Sequence, residues 1–505
     1  MKKQGWWLAA MALMLVAGRA DAQRINHEGR ILGNLPLVTN AVLFNTSEAD
    51  AIVSAMQILP TTNPWNEDIS HRPVLSNSDA MIAQIVADLA ADRRTLRAFF
   101  EMNYVLVPDS QSLVPISFML YGNESDPSPY PIPSNLPVET WPRLTGSLTL
   151  SQWQEDVNGT GGDRHAIIVQ PGSGLIWETW QAKRVGANWQ ASNGARFNLN
   201  TNGLRPLYWT SADAAGLPMF PALVRFDEGE RGVIEHACRI VVKRSRREFI
   251  YPATHYASST PATETNVPAM GQRLRLKSSF VIPPTWTKQE KAVLTALKKY
   301  GALVADNGNF FSISVTPDDR WPANAFSHLS SVSITNFEVI QTTGPSEGPR
   351  SPGAPQAHAG VDRTVPLGQP VTLAGHIAST GTPPVVQWKL YSGPGTVAFD
   401  DASRTNATAT FSAPGVYTLM LSASNGVHTV AYDAVVLTVV PALTLAITRT
   451  GGHLNLTFTG GAPPYVVERS EALPAAAWSG IVTTEVQNVT LPITGSQGFL
   501  RVRGN

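Results

Sequence analysis

Trp209-Thr210-Ser211-Ala212-Asp213-Ala214-Ala215-Gly216-Leu217-Pro218 opens the stretch, 210 to 277, around which the chain is organised. It continues through Arg225-Phe226-Asp227-Glu228 and Glu235-His236 and closes at Met270-Gly271-Gln272-Arg273-Leu274-Arg275-Leu276-Lys277. Ionisable residues stand here among short apolar runs and turn signals, the pattern of a polar site set into a β framework. Alternation from 233 to 242 predicts a strand with Ile234, His236, Cys238 and Ile240 on one face and Glu235, Arg239 and Val241 on the other. The same period puts Arg273, Arg275 and Lys277 on one face of a second strand.

Working outward, the period of two persists. Ala166 to Val169 and Leu175 to Trp180 read as strands joined by the turn Pro171-Gly172-Ser173-Gly174, a hairpin. His165 shares the face of Ile167 and Val169, and Glu178 that of Ile176 and Trp180. Earlier strands at 105–107 and 114–118 run into Tyr121-Gly122-Asn123-Glu124-Ser125-Asp126-Pro127 and a proline-rich connection. Two segments break the pattern. Met81, Ile82, Ile85, Val86 and Leu89 follow the cap residues 76–79 at helical spacing, and Thr287 with Glu290 caps a helix striped by Val293, Leu294, Leu297 and Tyr300. Asp306-Asn307-Gly308-Asn309 reads as a turn.

A length of 505 residues exceeds one ordinary core. The expected division is a leader at 1–22, a β-rich functional domain at 23–343, a Pro/Gly/Ser linker at 344–355, an immunoglobulin-like domain at 356–440 and a small β domain at 443–505. Lys2 and Lys3, the apolar run from Trp6 to Ala17 and Ala20-Asp21-Ala22 form a cleavable secretory signal, which predicts an extracellular or periplasmic protein without a transmembrane anchor. Charge is balanced, Lys+Arg 38 against Asp+Glu 38, so there is no electrostatic reason to expect nucleic acid. The single cysteine, Cys238, excludes an internal disulfide and reads as a buried thiol.

Ala359-Gly360-Val361-Asp362-Arg363-Thr364-Val365-Pro366-Leu367-Gly368, Val371-Thr372-Leu373-Ala374-Gly375, the strand around Trp388, and Phe411-Ser412-Ala413-Pro414-Gly415-Val416-Tyr417-Thr418-Leu419 followed by Ala423-Ser424-Asn425-Gly426 resemble a PKD domain. That resemblance implies an immunoglobulin-like sandwich acting as a spacer or contact surface; Asn425 stands where the family usually has Asp. Residues 443–505 resemble the short β modules that end many exported bacterial proteins. Between about 40 and 340, Asn63-Pro64-Trp65-Asn66, Glu124-Ser125-Asp126-Pro127, Gly162-Asp163-Arg164-His165, Thr210 to Pro218 and Met270-Gly271 resemble a family of exported bacterial proteins. This resemblance implies a domain extent and no activity.

The fold class expected is mainly β: a large N-terminal sandwich or jelly-roll-like domain with a helical cap, then the PKD sandwich and a small C-terminal sandwich. Glycosidic chemistry asks for two carboxylates about 5 to 10 Å apart, and β-elimination asks for cations that neutralise a uronate together with a base. The leading expectation is therefore a polysaccharide-active protein, glycoside hydrolase or uronate lyase. Asp213, Asp163, His165 and His236 are the acid/base candidates, with Glu124 and Asp126 next. Arg225, Arg273, Arg275, Trp177, Trp209 and His255 are the candidate substrate contacts. The alternative is a non-catalytic glycan-binding or adhesive surface protein. Neither HxH nor HExxH spacing occurs, so no metal is expected, and no cofactor; GxSxG and phosphate-loop motifs are also lacking. A polysaccharide or cell-surface glycan is the expected partner, of a monomer.

Overall fold

The computed structural model describes residues 23–159, 161–474, 477–495 and 497–504; the expected signal peptide lies outside them. The protein is mostly β, with several sandwich-like sheets, helices in its N-terminal part and a PKD-type sandwich towards the C-terminus.

A six-stranded sheet has the order 337–339, 273–276, 302–307, 238–242, 311–315 and 96–100. Strands 238–242 and 302–307 pair in parallel, as do 311–315 and 96–100, so the sheet is mixed. The helix Lys288–Lys299, opened by a Thr287–Glu290 capping box, returns the chain across this sheet and packs on strand 273–276. Val293, Leu294, Leu297 and Tyr300, the stripe expected from the spacing, are all buried, and Ala296 joins them. The helix Ser78–Asp88 packs beside strand 337–339.

A five-stranded sheet, ordered 42–43, 105–106, 166–170, 175–180 and 193–198, stands next to it. The expected hairpin is present, with Ile168 opposite Trp177. Both faces of this sheet are covered. Ile167, Val169 and Ile176 join the large core under the six-stranded sheet, while Ile168 and Trp177 pack into a second core with Tyr130 and Trp189. All five residues of strand 166–170 are therefore buried.

The strand expected over 233–242 is shorter, Cys238–Val242, and His236 precedes it. Conversely, strand Ala302–Asn307 takes in Asp306 and Asn307, which the sequence reads as a turn. Cys238 is fully buried, and burial pushes its thiol up to about 12.

Strands 363–366, 431–440, 415–424 and 385–392 form one sheet of the PKD sandwich; 371–372, 408–411 and 397–399 form a facing one. Trp388 and Tyr417 fill the space between them, and the Tyr417 hydroxyl donates to the Ala413 carbonyl at 2.9 Å, the tyrosine corner of immunoglobulin-like sandwiches. Two three-stranded sheets make the C-terminal tail. The connection before the PKD sandwich is pinned rather than free: Arg350 donates to Glu67 at 3.0 Å and to the Thr62 carbonyl at 3.1 Å.

Candidate functional site

The opening stretch forms an irregular loop fastened from below. Arg205 donates to the Thr210 carbonyl at 2.6 Å, to Asp126 at 2.6 Å and to the Glu124 carbonyl at 2.5 Å. Glu124 in turn accepts from the Thr210 N–H at 2.9 Å, and Asp126 also accepts from the Arg196 N–H at 2.7 Å. Ser211 closes the turn on itself, donating to the Leu217 carbonyl at 2.6 Å. Glu124 and Asp126 are thus loop anchors, which explains why two carboxylates stand together just past a strand.

Asp213 points inward. Its side chain is 1% exposed and takes a two-point grip from Arg239, Nε to Oδ2 at 2.8 Å and Nη2 to Oδ1 at 2.7 Å. The third Arg239 nitrogen donates to Ser314 Oγ at 2.7 Å, and Ser314 donates to Glu101 at 2.8 Å. Asp306 stands 3.6 Å from the same guanidinium. Burial pushes Glu101 up to about 7; burial, then the neighbouring Asp213, lifts Asp306 to about 6.

His165 is buried beside this group. Its Nδ1 meets Glu139 Oε2 at 2.9 Å and its Nε2 meets the Ala212 carbonyl at 3.0 Å. Both partners only accept, so both ring nitrogens donate and the ring is an imidazolium. Burial opposes that charge, but the Glu139 carboxylate outweighs it and lifts the ring to about 9. A base that already holds its proton at neutral pH cannot take another.

Above this polar layer is a pocket of about 230 Å³. It brings together Asp163, His165 and His255 with Tyr121, Trp180 and Asp306. Asp163 accepts from Trp180 Nε1 at 3.2 Å, and Tyr121 and Trp180 lie ring to ring with centroids 6.2 Å apart.

The other candidates are elsewhere. His236 faces Glu228 at 3.2 Å in a separate small cavity, where Arg225 also pairs with Glu228. Arg225 with His236 holds the buried Glu228 carboxyl down at about 2, against the push of burial. Arg273 and Arg275 are buried, Arg273 beside a small cavity with Pro64, Glu67 and Tyr251, and both are engaged by main-chain carbonyls. Arg273 donates to the carbonyls of Pro64 at 2.7 Å and Tyr300 at 2.8 Å; Arg275 donates to the Ile69 carbonyl at 2.5 Å and to Glu338 at 2.8 Å. They clamp the 63–72 loop, whose backbone acceptors need donors in the absence of a ladder. Trp177 is core, its ring 4.7 Å from Tyr130, and Trp209 packs against the Arg205 guanidinium at 5.5 Å.

Sequence reasoning missed Glu101, Glu139, Ser314 and Asp306, and did not connect Arg239 to Asp213. One signal was readable: Arg239 interrupts the apolar strand Cys238-Arg239-Ile240-Val241-Val242, and an arginine so placed requires a buried carboxylate. Its identity was not readable, because Glu101, Asp213 and Asp306 come from distant parts of the chain.

Residues 356–438 match the family model of the PKD domain. No curated protein matches the chain. Similar solved structures include the PKD domain from KIAA 1837 protein, 23% identical over 22% of this chain and 100% of that one at TM-score 0.16. The PKD domain (329-428) from human KIAA0319 is 22% identical over 22% of this chain and 96% of that one at TM-score 0.17. The insect immune protein hemolin is 14% identical over 40% and 50%, TM-score 0.18.

The expectation of a glycoside hydrolase or uronate lyase is corrected by these findings. Of the six acid/base candidates, Asp163 and His165 share a pocket and the other four do not line it, and Asp213, Glu124, Asp126, His165 and His236 are each engaged by internal partners. The three arginines meant to neutralise a uronate are buried in structural clamps. The matched module is a PKD domain, and among the described residues no group of three or more His, Cys, Asp or Glu is placed to hold a metal ion. No helix of the described residues is long and apolar enough to cross a membrane.

Proposed function

We propose that the protein is a non-catalytic adhesive surface protein, exported by its N-terminal leader, in which residues 23–343 form the recognition unit and the modules at 356–440 and 443–505 space and present it. The observation that carries this reading is the internal satisfaction of the candidate residues. A hydrolytic site keeps at least one acid and one base free to exchange protons with a substrate. Here the imidazolium of His165 is locked between Glu139 and a carbonyl, and Asp213 is locked in Arg239. Arrangements of this kind hold loops in one conformation, which suits a preformed contact surface. The PKD module supports the same reading, since its core carries the immunoglobulin-like packing of Trp388 and Tyr417 and none of the candidate residues.

The test is to coat surfaces with extracellular proteins and with neutral or uronic polysaccharides and measure saturable retention of the chain from residue 23 onward. In parallel, reducing ends and unsaturated products are followed. Retention on protein-coated surfaces without product release is expected. Product release that disappears in Asp163→Asn, or no retention on any protein surface, would overturn the proposal.

A further inference from the structure

The pocket beside His165 has a lining whose hydrogen-bond donors are nearly all engaged and whose acceptors are not. Thr210 and Ser211 hydroxyls donate to main-chain carbonyls at 3.2 and 2.6 Å. Both nitrogens of His165 donate inward, and Trp180 Nε1 donates to Asp163. His255 Nδ1 lies 2.7 Å from the Ala214 carbonyl, which only accepts, so this nitrogen too donates away from the pocket. Asn307 is fixed by its amide donating to the Ala257 carbonyl at 2.8 Å, and its Oδ1 has no hydrogen-bond partner. Asp163 meets Trp180 through Oδ1 and keeps Oδ2 as an acceptor, while Asp306 accepts from the Asn307 N–H at 2.7 Å through Oδ1 and stands 3.6 Å from Arg239 through Oδ2, each oxygen with a lone pair to spare.

Charge points the same way. Around the pocket and beneath it stand the carboxyls of Glu101, Glu139, Asp163, Asp213 and Asp306, with the cations His165 and Arg239 among them and Arg164 acting on Glu139 from the side. At the rim the exposed Tyr121 ring and the half-buried Trp180 ring offer π faces of the kind that attract cations. The volume, about 230 Å³, is below the roughly 300–1,000 Å³ of sites for drug-sized ligands and fits one long side chain rather than a run of sugar rings.

We propose that this pocket binds an organic cation, the guanidinium or ammonium end of an arginine or lysine side chain on a partner protein, with Asp163, Asp306 and Asn307 accepting its N–H groups and the Tyr121 and Trp180 rings flanking it. This rests on the adhesive reading above and names the chemistry of the partner. Asp306, which faces Asp213, Arg239 and His165 below and shares the pocket with His255, must be ionised for full affinity, so binding strengthens as pH rises through about 6.

Calorimetric titration with Nα-acetyl-arginine amide, Nα-acetyl-lysine amide, the neutral Nα-acetyl-norleucine amide and putrescine tests it. Saturable binding of the first two is expected, weakened at least tenfold by Asp306→Asn and by Asp163→Asn, and unchanged by Asp319→Asn, an exposed acid outside the pocket. Asp163 is exposed, so its variant keeps the test valid if Asp306→Asn does not fold. Equal binding of the norleucine amide, or arginine-amide binding indifferent to Asp163→Asn, would overturn the proposal, and tighter binding of putrescine than of either amide would overturn the side-chain assignment. A chain that binds the cationic amides but is not retained on protein-coated surfaces sinks the adhesive reading and leaves the pocket assignment standing. Retention undiminished in Asp163→Asn, with no amide bound, does the reverse.

Discussion

Arg239 and Asp213 are 2% and 1% exposed, and each is the other's main charge partner. A buried pair of this kind contributes little net stability over an apolar pair of the same shape, but breaking it leaves one charge stranded. Arg239→Met strands Asp213 and frees Ser314 from its relay to Glu101. We expect it to destabilise the N-terminal unit by about 3–5 kcal/mol. Asp213→Asn in the same background removes the stranded charge and should restore part of the loss. Urea midpoints of the single and double variants check both, and additive losses would contradict the pairing. Asp213 itself was legible, because the small apolar residues around it mark a buried polar group. Its role was not, since the same surroundings suit a catalytic acid or a structural anchor, and only the position of Arg239 decides.

At the scale of elements, what was local in sequence was legible. The 166–180 hairpin and the two helices depend on residues a few positions apart, and Thr287 accepts from the Glu290 N–H at 3.1 Å as the spacing implies. Thr287→Ala should therefore cost about 1 kcal/mol, read from the urea midpoint. The parallel pairings 238–242 with 302–307 and 96–100 with 311–315 were not legible, because alternation gives a strand its faces and not its neighbours. Met270-Gly271 is a local motif whose reason is tertiary. Gly271 has φ +80°, and a Cβ there would run into the Ile250 carbonyl oxygen and approach Ala253 Cβ at 2.8 Å. Gly271→Ala should cost about 2–5 kcal/mol, combining a left-handed backbone at ~1–2 kcal/mol with overpacking at ~1–3 kcal/mol. Hydrogen exchange should quicken first in strands 238–242 and 302–307, since the Gly271 N–H donates to the Val304 carbonyl at 2.7 Å. Unchanged exchange there would show that the loop can yield.

For the molecule as a whole, the buried ionisable groups set a pH dependence that a chain with balanced formal charge would not suggest. Glu101 and Glu178 are raised from 4.5 to about 7 by burial, and Asp306 from 3.8 to about 6 by burial and Asp213. His165 is raised from 6.5 to about 9, Glu139 overcoming burial. In each case the folded state keeps a proton that the unfolded chain gives up, so their stabilisation is complete below the unfolded values and is lost as pH rises through the folded ones. Glu228, held at about 2, and the lowered Glu67, Glu139 and Glu235 act oppositely, and their stabilisation is lost as pH falls below about 4.5. His27, which burial lowers from 6.5 to about 4, also disfavours acid. Stability should therefore peak near pH 5 to 6 and decline towards pH 9, the carboxyls accounting for the fall up to pH 7 and His165 for the fall beyond it. Glu101→Gln keeps an acceptor for Ser314 without a charge, so it should flatten the decline between pH 5 and 7 and leave the decline above pH 7 unchanged. Hydrogen exchange of strands 166–170 and 238–242 between pH 5 and 9, corrected for intrinsic rates, reads the N-terminal unit apart from the C-terminal modules. Protection that rises steadily to pH 9 would mean that these carboxyls ionise freely in the folded protein and that the layer beneath the pocket is wetter than its packing implies.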